Sequence, residues 1–295
     1  MKISNNVQAL KAYRNLTANQ LNVKTTMDKL SSGQKINRAA DDAAGLAISE
    51  KMRNRLQALD KAEQNVLDGI SMVQTLEGGM NETHSLLQRM RELAVQAGNG
   101  TLAPEDRSSI QSEIDQLTNE VTRIAKTTQF NGKDILTGDF AEGKSALFVQ
   151  TNAGANEGIS VTVKDMRGLA LGISTTTAPA TDSVAMTETS GTTEYALSVM
   201  SSESASTAIT LYTKAIDNVS NQRAKLGAIQ NRFEATNSVL SISRENLTAS
   251  ESRIRDTDMA REMMEYAKYN ILNQSGMAMI AQANALPQGV LQLLN

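Results

Sequence analysis

Chemistry-bearing residues are sparse in this chain of 295 residues. It has no cysteine, which excludes a thiol nucleophile, a disulfide framework and a Cys-ligated metal. Its one histidine, His84, falls on a helical stripe with no second His and no tight carboxylate cluster near it in sequence. It therefore reads as a core-flanking or interface side chain rather than a ligand, and the H-E-x-x-H pattern of a zinc protease is absent. Asp41 and Asp42 could suggest paired acids, but they stand where a helical pattern begins, and there carboxylates act as N-caps. Gly78-Gly79 lies inside a helical pattern, so it forms no phosphate loop and suits close packing or a local irregularity. The remaining reactive stretch is residues 174–207, where 17 of 34 positions are Ser or Thr. Read plainly it is a solvated loop. Read for chemistry it is an O-glycan acceptor surface, with Ser174, Thr175, Thr176, Thr177, Thr181, Ser183, Thr187, Thr189 and Ser190 as the candidate hydroxyls. No catalytic residue, metal or cofactor is expected.

Composition describes the elements that carry these residues. Forty per cent of the chain is apolar, yet it holds only five Tyr and four Phe and no Trp, so the core must be aliphatic, with 14 Met among its material. Three prolines in 295 residues is far below the usual ~5% and points to long uninterrupted helices. A net charge of −3 supplies no field that would draw the chain to nucleic acid. No window approaches the ~20 apolar residues of a membrane span, so no membrane insertion is expected.

The strongest pattern is a seven-residue repeat. Met52, Leu59, Val66, Val73, Met80, Leu87 and Ala94 are all apolar, and Ile48, Ala62, Leu76 and Met90 widen the stripe. The intervening seam is mixed: Leu56, Glu63, Ile70, Glu77, His84 and Arg91. This predicts one helix roughly 63 Å long that packs on more than one neighbour. Gly98-Asn99-Gly100 marks a turn, and Pro104 with Glu105 and Asp106 marks a new helix whose Ile110, Ile114, Leu117, Val121 and Ile124 step 4-3-4-3. Far along the chain Tyr212, Val219, Leu226, Phe233, Leu240, Leu247 and Ile254 repeat the seven-residue spacing over the same length as the first stripe. Two matched stripes predict antiparallel packing within one chain; separate coiled-coil dimer segments are the alternative. Between them, Leu147–Gln150 and Ile159–Val163 read as two short strands, a small β element against the bundle.

The two ends carry amphipathic helices of different character. Ile3, Val7, Leu10, Tyr13, Leu16, Val23, Met27 and Leu30 keep a helical period that Ser31-Ser32-Gly33 closes. The first forty residues hold seven Lys or Arg against one acid, Asp28, a balance also found in transit peptides and membrane-surface helices. The stretch before Leu10 lacks the apolar run and cleavage site of a secretory signal. At the other end Leu272, Gly276, Met279, Ala283, Leu286, Val290 and Leu293 form a stripe, and Lys268 is the single charge between Tyr266 and Asn295. A helix so short of charge is poorly soluble alone and predicts self-assembly, with Pro287 expected to kink or end it. The fold class expected is thus mainly α: an elongated antiparallel coiled-coil helical bundle with a small β-hairpin element and its termini paired at one end.

Long motifs now carry a resemblance. Residues 31–48, from Ser31-Ser32-Gly33-Gln34-Lys35-Ile36-Asn37-Arg38 through Ala39-Ala40-Asp41-Asp42-Ala43-Ala44-Gly45-Leu46-Ala47-Ile48, resemble the N-terminal signature of bacterial flagellin. Gln88–Gln96 and Thr128–Gly132 are similar to that family's core motifs, and Ala281–Leu291 to its C-terminal end. The resemblance covers residues 1–170 and 208–295, in the right order, and leaves 174–207 without a family pattern. It implies a short flagellin whose outer domains are almost wholly lost. The implied division is a terminal inner-tube domain of 1–41 with 255–295, a core bundle of 42–173 with 208–254, and the variable loop 174–207.

The resemblance also implies a mechanism. The chain would be the subunit of a helical homopolymer, the extracellular flagellar filament that drives swimming. It would be secreted unfolded through the type III export apparatus, served by an export chaperone, without a cleaved signal, and polymerised at the distal tip against cap and hook-associated proteins. Assembly would bury the terminal residues Ile3, Val7, Leu10, Leu272, Met279, Leu286, Val290 and Leu293. The family's Toll-like receptor 5 contact set falls on Arg89, Leu93 and Glu113, with Gln88, Glu92 and Gln96 as neighbours, a face that is first a subunit contact. A hook–filament junction protein with related ends is the alternative, but both terminal motifs are complete and the middle is small. A free coiled-coil binding module would not need the charge-poor C-terminal helix, and a transit peptide would leave the bundle and the C-terminal motif without a role.

Overall fold

The structure, a computed structural model, describes residues 6–141, 143–144, 146–176 and 194–293, with 286–293 as helical backbone alone. The helices are α1 (Val7–Ser32), α2 (Ala43–Ala97), α3 (Pro104–Thr127), the single turn α4 (Gly168–Leu171), α5 (Ser202–Arg255) and α6 (Met259–Leu293). Among the described residues three two-stranded antiparallel ribbons lie between α3 and α5: β1 (Gln129–Phe130) with β2 (Lys133–Asp134), β3 (Leu147–Gln150) with β4 (Gly158–Val161), and β5 (Ser174–Thr175) with β6 (Tyr195–Ala196). The backbone gathers into two compact units, Met1–Gln57 with Ser243–Asn295, and Ala58–Ile242.

In the second unit the seven-residue stripes form the core. Leu59, Val66, Val73, Met80, Leu87 and Ala94 of α2 are buried, and so are Tyr212, Val219, Leu226, Phe233 and Leu240 of α5. Three contacts set their register. The Ser202 hydroxyl donates to the Gly98 carbonyl at 3.1 Å, Arg223 pairs with Glu77 at 3.6 Å, and a Cβ at Gly69 would meet the Phe233 ring at 3.1 Å. Numbers rise along α5 as they fall along α2, so the stripes pack antiparallel within one chain. Each fully buried aliphatic side chain contributes about 1.5–3 kcal/mol before ordering entropy is subtracted.

The α2–α3 hairpin closes as its turn residues predict. α2 ends at Ala97, and Arg107 donates to the orphaned Ala97 carbonyl at 3.2 Å and to that of Asn99 at 3.0 Å. Pro104 opens α3, where its missing N–H costs no helical bond, and the Asp106 carboxylate accepts the Ala103 N–H at 3.3 Å. Ile110, Ile114 and Val121 are buried, with Leu117 and Ile124 half-buried at the margin. Gly79 has a definite steric role. A Cβ there would lie 2.9 Å from Thr128 Oγ1 and 3.0 Å from Leu136 Cδ1, so α2 presses directly on the residues that flank the β1–β2 ribbon. Gly78 faces open space.

The β3–β4 ribbon pairs Leu147 with Val161 and Gln150 with Gly158, close to the expected strands. The other two ribbons are additions. β1–β2 turns through Asn131 and Gly132, both left-handed at φ 50° and 72°, the conformation that Asn-Gly turns favour. β5–β6 pairs Ser174 with Ala196 and Thr175 with Tyr195, and α5 begins at Ser202, inside the stretch expected to be loop. Two buried glutamines hold the irregular backbone. Gln111 donates to the Leu197 carbonyl at 3.1 Å and accepts the Val199 N–H at 2.7 Å, and Gln222 donates to the Thr162 carbonyl at 2.9 Å.

In the first unit α1 starts on Asn6, whose side chain accepts the Ala9 N–H at 3.1 Å, and ends at left-handed Gly33, φ 69°. It pairs with α6 in antiparallel register. Asn6 donates to the Ala283 carbonyl at 2.8 Å, a Cβ at Gly276 would meet Leu16 at 3.3 Å, and Lys29 faces Glu262 at 3.9 Å. The segment after α1 meets the chain between α5 and α6: Lys35 N–H donates to the Arg255 carbonyl at 2.7 Å, and Thr257 N–H to that of Gly33 at 3.1 Å. Arg255 also holds Glu50 at 2.6 Å and Gln34 at 3.2 Å. Of the two expected caps, Asp42 stands directly before α2 and accepts the Gly45 N–H, whereas Asp41 accepts the N–H groups of Asn37 and Arg38 and so holds the turn ahead of the helix rather than its first turn. Two further expectations differ. Ile48 is exposed rather than part of the stripe, and α6 runs through Pro287 to Leu293 without ending there.

Candidate assembly and contact surfaces

The terminal helices bury little between them. Thr26 is the buried residue of α1, its hydroxyl spent on the carbonyls of Asn22 and Val23. Val7, Leu10, Tyr13, Leu21 and Met27 of α1 are exposed, and on α6 so are Met259, Met263, Met264, Ile271, Leu272, Met277 and Met279. Of the expected assembly residues, Val7 and Leu10 are each 60% exposed, Leu272 39% and Met279 62%. Ile3 lies outside the described residues, and the side chains of Leu286, Val290 and Leu293 lie outside the described ones. On α6 the side facing α1 carries Glu262 and Gly276, while the exposed apolar side chains occupy the flanks. A helix with large apolar side chains outside its packed face needs further partners. Covering a half-exposed aliphatic side chain is worth on the order of 1 kcal/mol. The dozen exposed here supply a drive on the order of 10 kcal/mol before association and ordering costs.

A second surface is charged and lies on α2 and α3. Arg89 places Nε at 3.0 Å and Nη2 at 2.9 Å from Glu113 Oε1, and Nη1 at 3.5 Å from Glu92. The Glu113 carboxylate, with a smaller contribution from Glu92, pushes the guanidinium's pKa further up, so Arg89 is a permanent cation. Gln88 and Gln96 are exposed beside it, and Gln88 Nε2 lies 2.9 Å from His84 Nε2. His84 is thus half-buried at the border of this face. Leu93 does not belong to the exposed set in the free chain: it is 2% exposed. Its neighbours one turn away on either side, Met90 and Ala97, are both buried, so Leu93 lies on the core face and supports the surface from beneath. Val95, 55% exposed, is the apolar side chain the surface does offer.

The hydroxyl-rich stretch divides. Ser174 is buried, and its hydroxyl donates to the buried Glu194 carboxylate at 3.0 Å, so it presents no acceptor hydroxyl to solvent. Thr175 is half-buried and Thr176 exposed. Thr177, Thr181, Ser183, Thr187, Thr189 and Ser190 lie outside the described residues. Among the described residues no three of His, Asp or Glu are placed to hold a metal ion, and no helix is long and apolar enough to cross a membrane.

Two helical units, with terminal helices that leave large apolar side chains uncovered, are the build of a self-associating structural protein. Residues 3–141 match the bacterial flagellin N-terminal helical region and residues 209–294 the bacterial flagellin C-terminal helical region. The chain therefore belongs to the bacterial flagellin family, whose members are structural proteins and not enzymes. It is 48% identical to a flagellin of Bacillus subtilis and 46% identical to the flagellar filament 30.7 kDa core protein of Treponema maltophilum, over 100% of each chain in both cases. A flagellar hook-associated protein structure from Vibrio parahaemolyticus shares the fold, at TM-score 0.55 and 11% identity, over 73% of this chain and 100% of that one.

Proposed function

We propose that this chain is the structural subunit of a bacterial flagellar filament and acts by polymerising with itself. The observation that carries the reading is the end-to-end match to a filament core protein. The uncovered apolar flanks of α1 and α6 support it physically. Residues 1–41 and 255–295 form the inner tube, where those flanks meet their counterparts on neighbouring copies. Residues 42–173 with 208–254 form the surrounding bundle, and Arg89, Glu113, Gln88, Glu92 and Gln96 contribute to the contacts between bundles. The subunit leaves the cell unfolded through the flagellar export apparatus with an export chaperone. It joins the filament under the cap, beyond the hook-associated proteins, and the finished filament is extracellular and drives motility. The Arg89–Glu113 face is also the surface a Toll-like receptor 5 would read.

The test compares the full chain with a version lacking Tyr266–Asn295. Seeded or salted-out full chain gives long filaments in negative stain and pellets on sedimentation, and the truncated chain stays monomeric. Full chain that remains monomeric with seeds would sink the subunit reading in favour of a hook–filament junction protein.

A further inference from the structure

Nine of the 14 methionines form two contrasting groups, and Met27 of α1, 58% exposed, stands with the exposed ones. Met72, Met80, Met90 and Met166 are buried in the unit of Ala58–Ile242. Met259, Met263, Met264, Met277 and Met279, all on α6, are between 49% and 67% exposed. Apolar residues at such exposure are the ones a further packing partner must cover. Thioethers are also the apolar side chains that chemistry can make polar.

We propose that these five α6 methionines are an oxidation site that switches off polymerisation of the free chain. A hydroperoxide transfers one oxygen atom to the thioether sulfur. The O–O bond breaks, the S–O bond forms, the sulfur is oxidised and the peroxide is reduced to water or an alcohol. Each event replaces an apolar tip with a strong dipole that must be desolvated when α6 is covered. Met259, Met263 and Met277 share one flank of α6, because they are separated by four and fourteen residues. Met264 and Met279 sit on the other exposed side, so oxidation disables the helix on both flanks. Once α6 is covered by neighbouring copies the same sulfurs are shielded, and the polymer resists what the free chain does not. This last point rests on the filament reading above.

The experiment treats the free full chain with dilute hydrogen peroxide, maps sulfoxide by peptide mass spectrometry, and measures the critical concentration for seeded assembly. The five α6 sulfurs oxidise at least ~10-fold faster than Met72, Met80, Met90 and Met166, and the critical concentration rises ~10-fold or more. Methionine sulfoxide reductases A and B with dithiothreitol restore assembly, since they reverse sulfoxide and no other lesion. A variant with Leu at all five positions and at Met27, the exposed methionine of α1, assembles before and after peroxide. Equal oxidation of buried and α6 sulfurs overturns the proposal. So does oxidised chain that assembles at an unchanged critical concentration, or fails to recover after the reductases. Untreated chain that never polymerises would instead overturn the subunit reading.

Discussion

Arg89 and Leu93 lie one turn apart on α2 and belong to one expected contact set, but the structure gives them opposite roles. Arg89→Ala removes a half-exposed side chain whose partner, Glu113, is also half-exposed. Exposed ion pairs are screened by solvent, so the melting temperature of the free chain should move by less than about 2 °C. Leu93→Ala removes a side chain that is 2% exposed. Large-to-small changes at such sites cost about 2–5 kcal/mol. For a unit the size of Ala58–Ile242, each kcal/mol corresponds to roughly 2–4 °C, so a fall of roughly 5–15 °C is expected. Calorimetry or thermal circular dichroism on monomer reads the first effect, and seeded assembly and receptor-reporter signalling at 20 °C read the second. Arg89→Ala should lose assembly or signalling while keeping its melting temperature. Leu93→Ala should lose stability, with functional loss following from it. A Leu93→Ala protein that melts with the wild type would refute the placement of Leu93 in the core, and with it the distinction drawn between the two residues.

Further outcomes follow from single side chains. Gly78→Ala should stabilise the chain by about 1 kcal/mol in urea titrations, since its Cβ meets open space and the helix gains propensity. Gly79→Ala should destabilise it by about 1–3 kcal/mol, because its Cβ presses on Thr128 and Leu136. Tyr212 is fully buried with no hydrogen-bond partner for its hydroxyl, and burial pushes its phenol pKa well up and keeps it neutral. Tyr212→Phe should therefore be neutral or raise stability by up to about 1 kcal/mol in the same titration. Asp41 accepts the N–H groups of Arg38 and Asn37, which hold its carboxyl below the ordinary 3.8. Its folded pKa is the lower one, so its contribution is present above 3.8 and is lost as pH falls through the folded value. The protection of the Asn37 and Arg38 amides, taken relative to intrinsic exchange at each pH, should fall below that point, and Asp41→Asn should remove that change in protection.

Much of this architecture was legible because the core is written in one repeating spacing. The stripes from Leu59 to Ala94 and from Tyr212 to Leu240 are buried where the period places them, and equal length was enough to pair them. The caps at Asp42, Pro104 and Gly33 were legible because each supplies a bond or conformation that a helix end requires. The β1–β2 and β5–β6 ribbons were not, since two-residue strands carry no alternation to detect. The start of α5 hid in a Ser-rich run because hydroxyl residues are weak helix formers whose placement tertiary packing decides. Apolar periodicity does not mark the buried Gln111 and Gln222; their signal lies in the backbone groups they satisfy. Leu93 could have been found from Met90 and Ala97, which bracket it at helical spacing.

The antiparallel pairing of α2 with α5, and of α1 with α6, has a kinetic meaning. The cores are joined across distance in the sequence: Gly98 meets Ser202, Gly69 meets Phe233, Arg53 meets Glu251, and Asn6 meets Ala283. Such a fold has high contact order, and loop-closure entropy must be met before its long-range contacts form. A nascent chain that ends before residue 200 has Val66, Val73 and Met80 but none of Val219, Leu226 and Phe233 that cover them. The side of α2 that meets α5 therefore lacks its partner until the second half is made, and the molecule completes its fold only when both of its ends are available.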